Sequence, residues 1–316
     1  VATKTGDSFY RAQSVTATVF CTRATQQAIA FTPATPQTYL TTNALSMSGG
    51  SGTGAVSYAI VSGPGLVVGG TNLALTSGTG TVLIEASKTQ DDHYLVLSVT
   101  GTVVSAKASQ TITFPAIDAQ LTTNRVGLVA TASSGLSVTF SVFSGPASIS
   151  GGTNLTFTGA GSVSIVASQA GSVDWNAAPS ATNTFSVTSA TQAALAFSPG
   201  SPQTYNTTNI LSATGGSGTG AVSYAVQSGA GQIIGTNGLK MLAGTGSVTV
   251  VATKAADDLY NVRSATGVVA AAKAGQVISF PVISDQLTTN RVGLAATASS
   301  GLTVIFTTNG GPAVIT

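Results

Sequence analysis

The sequence predicts an all-β chain built as a linear array of tandem β-sandwich domains, with a repeat of about 83 residues. Three observations carry this. A phrase whose clearest forms are Gln110–Pro115 and Gln276–Pro281 places phenylalanine at positions 31, 114, 197 and 280, at one constant interval. Apolar residues alternate with a spacing of two and are dominated by Val, Ile and Thr, the pattern of half-buried strands. Glycine occurs 37 times, mostly between those runs, where turns are needed. A fixed period outranks every local signal, because each unit must then be read as one copy of a supersecondary module.

Within residues 108–190 the strands are read in order. Gln110 to Phe114 alternates and stops at Pro115, which lacks a donor for a ladder. Val126 to Ala132 and Leu136 to Val142 follow, joined by the tight turn Ser133-Ser134-Gly135. After the turn at Ser144-Gly145-Pro146 come Ala147 to Ser150, Asn154 to Thr158, Ser162 to Ser168 and Thr182 to Thr188. About seven short strands with turn signals every 8–12 residues describe a two-sheet sandwich.

A longer period lies over the first. Ala24 through Gly65 returns at Ala190 through Gly231, and Gln120 through Leu128 returns at Gln286 through Leu294, both shifted by twice the phenylalanine interval. Two unit types therefore alternate. Type A carries the turn Gly49-Gly50-Ser51-Gly52-Thr53-Gly54, repeated at Gly215 to Gly220, and type B has Ser133-Ser134-Gly135-Leu136 instead. The beginning and the end both align with mid-unit positions. The chain is therefore expected to be a window from a longer repetitive protein, its partial end units open to pairing with neighbouring strands.

Gln110-Thr-Ile-Thr-Phe-Pro, Ala132-Ser-Ser-Gly-Leu-Ser-Val-Thr-Phe, Gly161-Ser-Val-Ser-Ile-Val-Ala-Ser and Trp175-Asn-Ala-Ala-Pro resemble bacterial immunoglobulin-like (Ig-like) repeats of large secreted adhesins and surface proteins. The resemblance implies Ig-like sandwiches, an extracellular or cell-surface location, and no catalytic residues to transfer. On that basis residues 1–24 are the C-terminal part of one Ig-like domain. Residues 25–107 (type A), 108–190 (type B) and 191–273 (type A) are complete domains, and 274–316 is the N-terminal part of a type B domain.

Composition narrows the function. Charged residues are 6% of the chain and the net charge is +2, so no basic footprint for nucleic acid exists. Mean hydropathy is +0.38, yet the longest apolar runs, such as Val268 to Ala272, are too short to span a membrane. Near-neutrality favours association with other copies of the same chain. Any surface or glycan ligand is expected to lie outside this segment.

The side chains predict no catalytic, cofactor-binding or metal site. Cys21 and His93 are single, so there is neither a disulfide partner nor a zinc set. The glycine runs lack the Lys-Ser/Thr and following helix of a phosphate loop, and read as turns between strands. Asp91-Asp92 and Asp257-Asp258 are the only places where calcium deserves thought, and adjacent acids diverge too far to supply six oxygens. An aromatic recurs before the last strand, at Tyr10, Tyr94, Trp175 and Tyr260, and the last three are expected to be largely buried at one equivalent position. Lys107 and Lys273 read as linker residues in junctions with almost no free length. The function expected is a structural or adhesive fibre segment acting as a semi-rigid spacer. The alternatives are spacer modules of a secreted polysaccharide-active enzyme, or a phage or injection-machine fibre.

Overall fold

A computed structural model describes all residues, Val1–Thr316, as β-strands and turns with no helix. The chain divides into two compact units. One comprises Val1–Asp118, Arg125–Thr156 and Ser162–Ser186, and the other Ala119–Asn124, Phe157–Gly161 and Val187–Thr316.

In the first unit, β1 (Ala2–Lys4) and β2 (Gln13–Val15) form an antiparallel pair. A set of nine strands follows: β3 (Ile29–Ala30), β4 (Gln37–Thr38), β5 (Thr42–Ala44), β6 (Ser48–Gly49), β7 (Val56–Ser62), β8 (Gly65–Val68), β9 (Asn72–Leu75), β10 (Thr81–Lys88) and β11 (Leu97–Ala106). One sheet has the order β4-β11-β10-β7. The remaining strands form a three-stranded sheet, β5-β9-β8, and a separate pair, β3-β6. The two sheets meet over Phe31, Leu45, Leu73, Leu75, Val82, Ile84, Ala86 and Val103, all buried. Alternation puts these side chains inward, and each fully buried Val, Leu or Ile is worth about 1.5–3 kcal/mol. Gln37 and Ser105 are the buried polar residues of this set, and Gln37 is the more enclosed. Gln37 also links the sheets. Its amide donates to the Thr41 carbonyl at 2.9 Å and to the Leu73 carbonyl at 3.0 Å, stitching one sheet to the other.

The same nine-strand set recurs twice. In the middle of the chain it is β12 (Ile112–Thr113), β13 (Gln120–Leu121), β14 (Arg125–Gly127), β15 (Thr131–Ala132), β16 (Thr139–Ser144), β17 (Ala147–Ser150), β18 (Asn154–Phe157), β19 (Gly161–Ser168) and β20 (Ala181–Thr188). In the second unit it is β21 (Leu195–Phe197), β22 (Gln203–Thr204), β23 (Thr208–Ile210), β24 (Ala213–Gly215), β25 (Val222–Ser228), β26 (Gly231–Ile234), β27 (Gly238–Met241), β28 (Ser247–Lys254) and β29 (Arg263–Ala272). The strand orders β13-β20-β19-β16 and β22-β29-β28-β25 repeat that of the first set. Leu211, Leu239, Met241, Val248, Val250 and Val269 form the core of the last set. β30 (Ile278–Ser279) and β31 (Thr297–Ala298) close the chain as a final antiparallel pair.

Two details depart from the sequence reading. Each set has nine segments instead of seven, because the second strand is split in two and a two-residue strand is inserted. That extra strand (β4, β13 or β22) runs parallel to the last strand of its set, as in Gln120↔Val187. The strand at the outer edge of each four-stranded sheet also carries one extra residue. Its register slips past Val61 in β7, Phe143 in β16 and Gln227 in β25.

Candidate functional site: the acid loop and the repeat joints

The loop before the last strand of each set holds the recurrent acid and aromatic. A parallel bridge ties that aromatic to the residue where the set begins: Ala24↔Tyr94, Ala108↔Trp175 and Ala190↔Tyr260. The three aromatics therefore share one position, as the spacing predicts. They are only half-buried, however, which corrects the expectation that they are largely buried. They sit over a loop at the end of the sandwich, where one ring face lies beyond the reach of the core. Tyr10 is exposed.

A recurrent glutamine, whose role the sequence did not betray, braces this loop. The side-chain amide of Gln26 donates to the Leu95 carbonyl at 2.8 Å, that of Gln110 to Asn176 at 2.7 Å and that of Gln192 to Asn261 at 2.8 Å. The linker is pinned as well. The Ala108 amide donates to the Asp174 carbonyl at 2.9 Å, and the Ala108 carbonyl accepts the Asn176 amide at 2.9 Å. Ala190 is held in the same way by Leu259 and Asn261. No free length remains at these junctions.

The acid is used in two ways. In the first set, Asp91 Oδ1 accepts the His93 and Tyr94 amides, each at 2.9 Å, and Oδ2 accepts the Thr53 amide at 2.7 Å. In the last set, Asp257 accepts Leu259 and Tyr260 at 3.0 and 2.8 Å, and Thr219 at 2.5 Å. The glycine-rich turns of type A thus do cradle an anion, and the anion is the protein's own aspartate. Only glycine permits this approach. Gly52 has φ +71°, and a Cβ there would lie 2.0 Å from Asp91 Oδ2; one at Gly218 would lie 2.1 Å from Asp257 Oδ2. The amides of His93, then Tyr94, then Thr53 hold the Asp91 carboxyl down at about 2, because they stabilise its charged form. Asp257 is lowered chiefly by the Thr219 amide. At the start of the chain, Asp7 is lowered by the Phe9 and Tyr10 amides in the same local turn.

In the middle set Ser172 stands where Asp91 and Asp257 do, and the acid, two residues later, turns away from its own sandwich. Asp174 Oδ1 accepts the Ser77 hydroxyl at 2.9 Å and the Gly78 amide at 2.8 Å, both from the β9–β10 turn of the preceding set. The Tyr39 and Trp175 rings meet edge to face beside it, with centroids 6.1 Å apart at 87°. The Lys107 ammonium, which the sequence marks as a linker residue, donates to the Ser172 carbonyl at 2.6 Å. Nothing in type B corresponds to the glycine cradle, and Ser134 gives its hydroxyl to Gln110 Oε1 instead. In the second unit, the Thr122 hydroxyl donates to the Leu259 carbonyl, and its oxygen accepts the Ala190 amide at 3.1 Å.

His93 is exposed, and Cys21 is exposed as a free thiol. No three His, Cys, Asp or Glu side chains converge in a way that could hold a metal ion. No helix is long and apolar enough to cross a membrane.

The strand order defines the class of domain: the chain is a tandem array of Ig-like β-sandwiches, one sheet closing with the parallel strand found beside β11, β20 and β29. No family of known proteins matches the sequence, and no curated protein matches it. Similar solved structures include a three-Ig fragment of titin, I67–I69, in a Glu-to-Ala variant, at 14% identity and TM-score 0.30, covering 80% of this chain and 100% of that one. Mouse cadherin-23 EC22–24 is similar at 14% identity and TM-score 0.27, covering 80% and 97%. Sidekick-1 immunoglobulin domains 1–5 are similar at 13% identity and TM-score 0.30, covering 79% and 60%.

Proposed function

We propose that the chain is a non-enzymatic spacer: a segment of an extracellular, cell-surface fibre or filament, bacterial in character, that associates with other copies of itself. Its working parts are complete Ig-like domains at residues 25–107, 108–190 and 191–273, with partial ones at 1–24 and 274–316. The observation that carries this reading is the joint at Lys107-Ala108. There the linker is pinned by main-chain bonds, and the neighbouring sets share a carboxylate clasp and a ring contact. Domains that only needed tethering would be joined by free chain, and relative motion is the default when few contacts cross a boundary. Low charge suits the same role, since copies meet without strong repulsion. The alternative of a polysaccharide-active enzyme's spacer gains nothing from the recurrent aromatics, which are half-buried at domain ends instead of lined along an open sheet face.

Force spectroscopy of the whole chain tests the proposal. Three equal unfolding steps are expected, each releasing about 250 Å, the contour of one repeat less its folded length. A single step, or steps of unrelated length, would overturn the domain assignment. Sedimentation that stays monomeric at millimolar concentration would overturn the self-association.

A further inference from the structure

The acid loop of type B and the end of type A are complementary surfaces. We propose that the β9–β10 turn of a type A repeat, with Tyr39, is a docking socket for the Asp174-Trp175 loop of a type B repeat, so that A and B lock into a stiff pair over residues 25–190. The partner is defined by chemistry: a carboxylate followed by an aromatic, presented on a loop whose acid is not already engaged in its own sandwich.

The socket is shaped for this loop. Ser77 and Gly78 offer two donors to one carboxylate oxygen, and a Cβ on Gly78 would lie 2.7 Å from Asp174 Cα and 2.8 Å from its carbonyl oxygen. Glycine is therefore needed here for close approach, not for its backbone angles. Trp175 then reaches Tyr39 edge to face, a geometry favoured by the ring quadrupoles.

Type A loops cannot make the same contact. The residue directly before the aromatic, whose carbonyl accepts the Ala24, Ala108 or Ala190 amide, is Asp174 in type B and His93 or Leu259 in type A. The type A acids stand two residues earlier, and both carboxylate oxygens of Asp91 and of Asp257 are occupied by amides of their own set. The proposal concerns residues 25–190 alone and does not depend on the location or self-association proposed above.

The test uses the full chain carrying Cys21→Ser, with spin labels at Thr100→Cys and Thr182→Cys, both exposed and one in each member of the pair. A narrow distance distribution is expected. Asp174→Ala and, independently, Gly78→Ala should each broaden it about twofold, the behaviour of domains with no lock between them. Asp174→Asn keeps an oxygen acceptor and should stay narrow. In Asp174→Ala the Gly78 amide should also exchange with solvent about tenfold faster, while the Ile84 and Ile165 amides in the cores stay protected. Asp257→Ala should leave the label distribution unchanged and speed exchange at Thr219. An unchanged width in both Asp174→Ala and Gly78→Ala, or equal broadening by Asp257→Ala, would sink the proposal.

Discussion

Asp91 and Asp174 lie in the same loop of successive sandwiches, before the final strand, but two positions apart. Asp174 stands where the first set has His93, Ser172 stands where it has Asp91, and the two acids bond in opposite directions. Asp91 reaches inward to Thr53 of its own set, and Asp174 reaches across to Ser77 and Gly78 of the set before. Position within the loop decides this. Both loops hold their aromatic by the same parallel bridge. The acid three residues before the aromatic, Asp91, faces the glycine-rich turn of its own set. The acid directly before the aromatic, Asp174, faces the neighbouring set. A shift of two residues along one loop thus turns a self-directed acid into a clasp.

The largest test of that contrast is steric. Gly52→Ala places a methyl group against the Asp91 carboxylate at a left-handed backbone position, so a cost of about 2–4 kcal/mol is expected, read as a lower urea midpoint for the first set. Gly135→Ala, in the type B turn, has φ +76° but no atom within 4 Å of the new methyl group, so only the backbone cost of about 1–2 kcal/mol should appear. Equal losses would show that the cradle does not matter.

Acid should probe the type A cradles next. The Asp91 carboxyl is depressed to about 2 from 3.8, so its stabilising bonds are fully present above the unfolded value and are lost as pH falls from about 4 through about 2. Asp257 is depressed in the same direction. The Thr53 amide resonance should move in this window, and the Thr219 amide should likewise respond below the ordinary carboxylate range. A midpoint near 4 for Thr53 would break the account.

The smallest effect probes the socket from its aromatic side. Tyr39→Ala removes one ring of the edge contact, worth about 0.5–1.5 kcal/mol. Trp175 is the only tryptophan, so its emission reports this site alone and should shift to the red. Unshifted emission would mean that the ring is sheltered by its own loop instead.

Much of the sandwich could be read from the chain. Val82, Ile84 and Ala86 alternate inward, and Val248, Val250 and Ala252 do so again two repeats later, because burial on one sheet face imposes a period of two. The strand Gln120–Leu121 escaped notice, since two residues cannot show a period and its pairing is to the far end of the set. Gln26, Gln110 and Gln192 escaped for another reason. A polar residue that serves the main chain of a loop looks, in sequence, like any surface glutamine. The acids were seen but their partners were not. One clue was present: Thr53 and Asp91, like Thr219 and Asp257, lie 38 residues apart wherever the glycine run occurs.

The extra residue in each outer strand has a consequence for a chain made of near-identical pieces. Tethered copies meet one another at an effective concentration near the millimolar range, so every unpaired strand edge always has a matching edge close by. Charge is the usual safeguard, and β7, β16 and β25 contain no charged residue. The slip at Val61, Phe143 and Gln227 bends these strands out of the straight line that a continuous ladder requires. It works against fusion of neighbouring sandwiches edge to edge into one sheet, so the self-association proposed above would fall to side-chain surfaces, which can be tuned residue by residue.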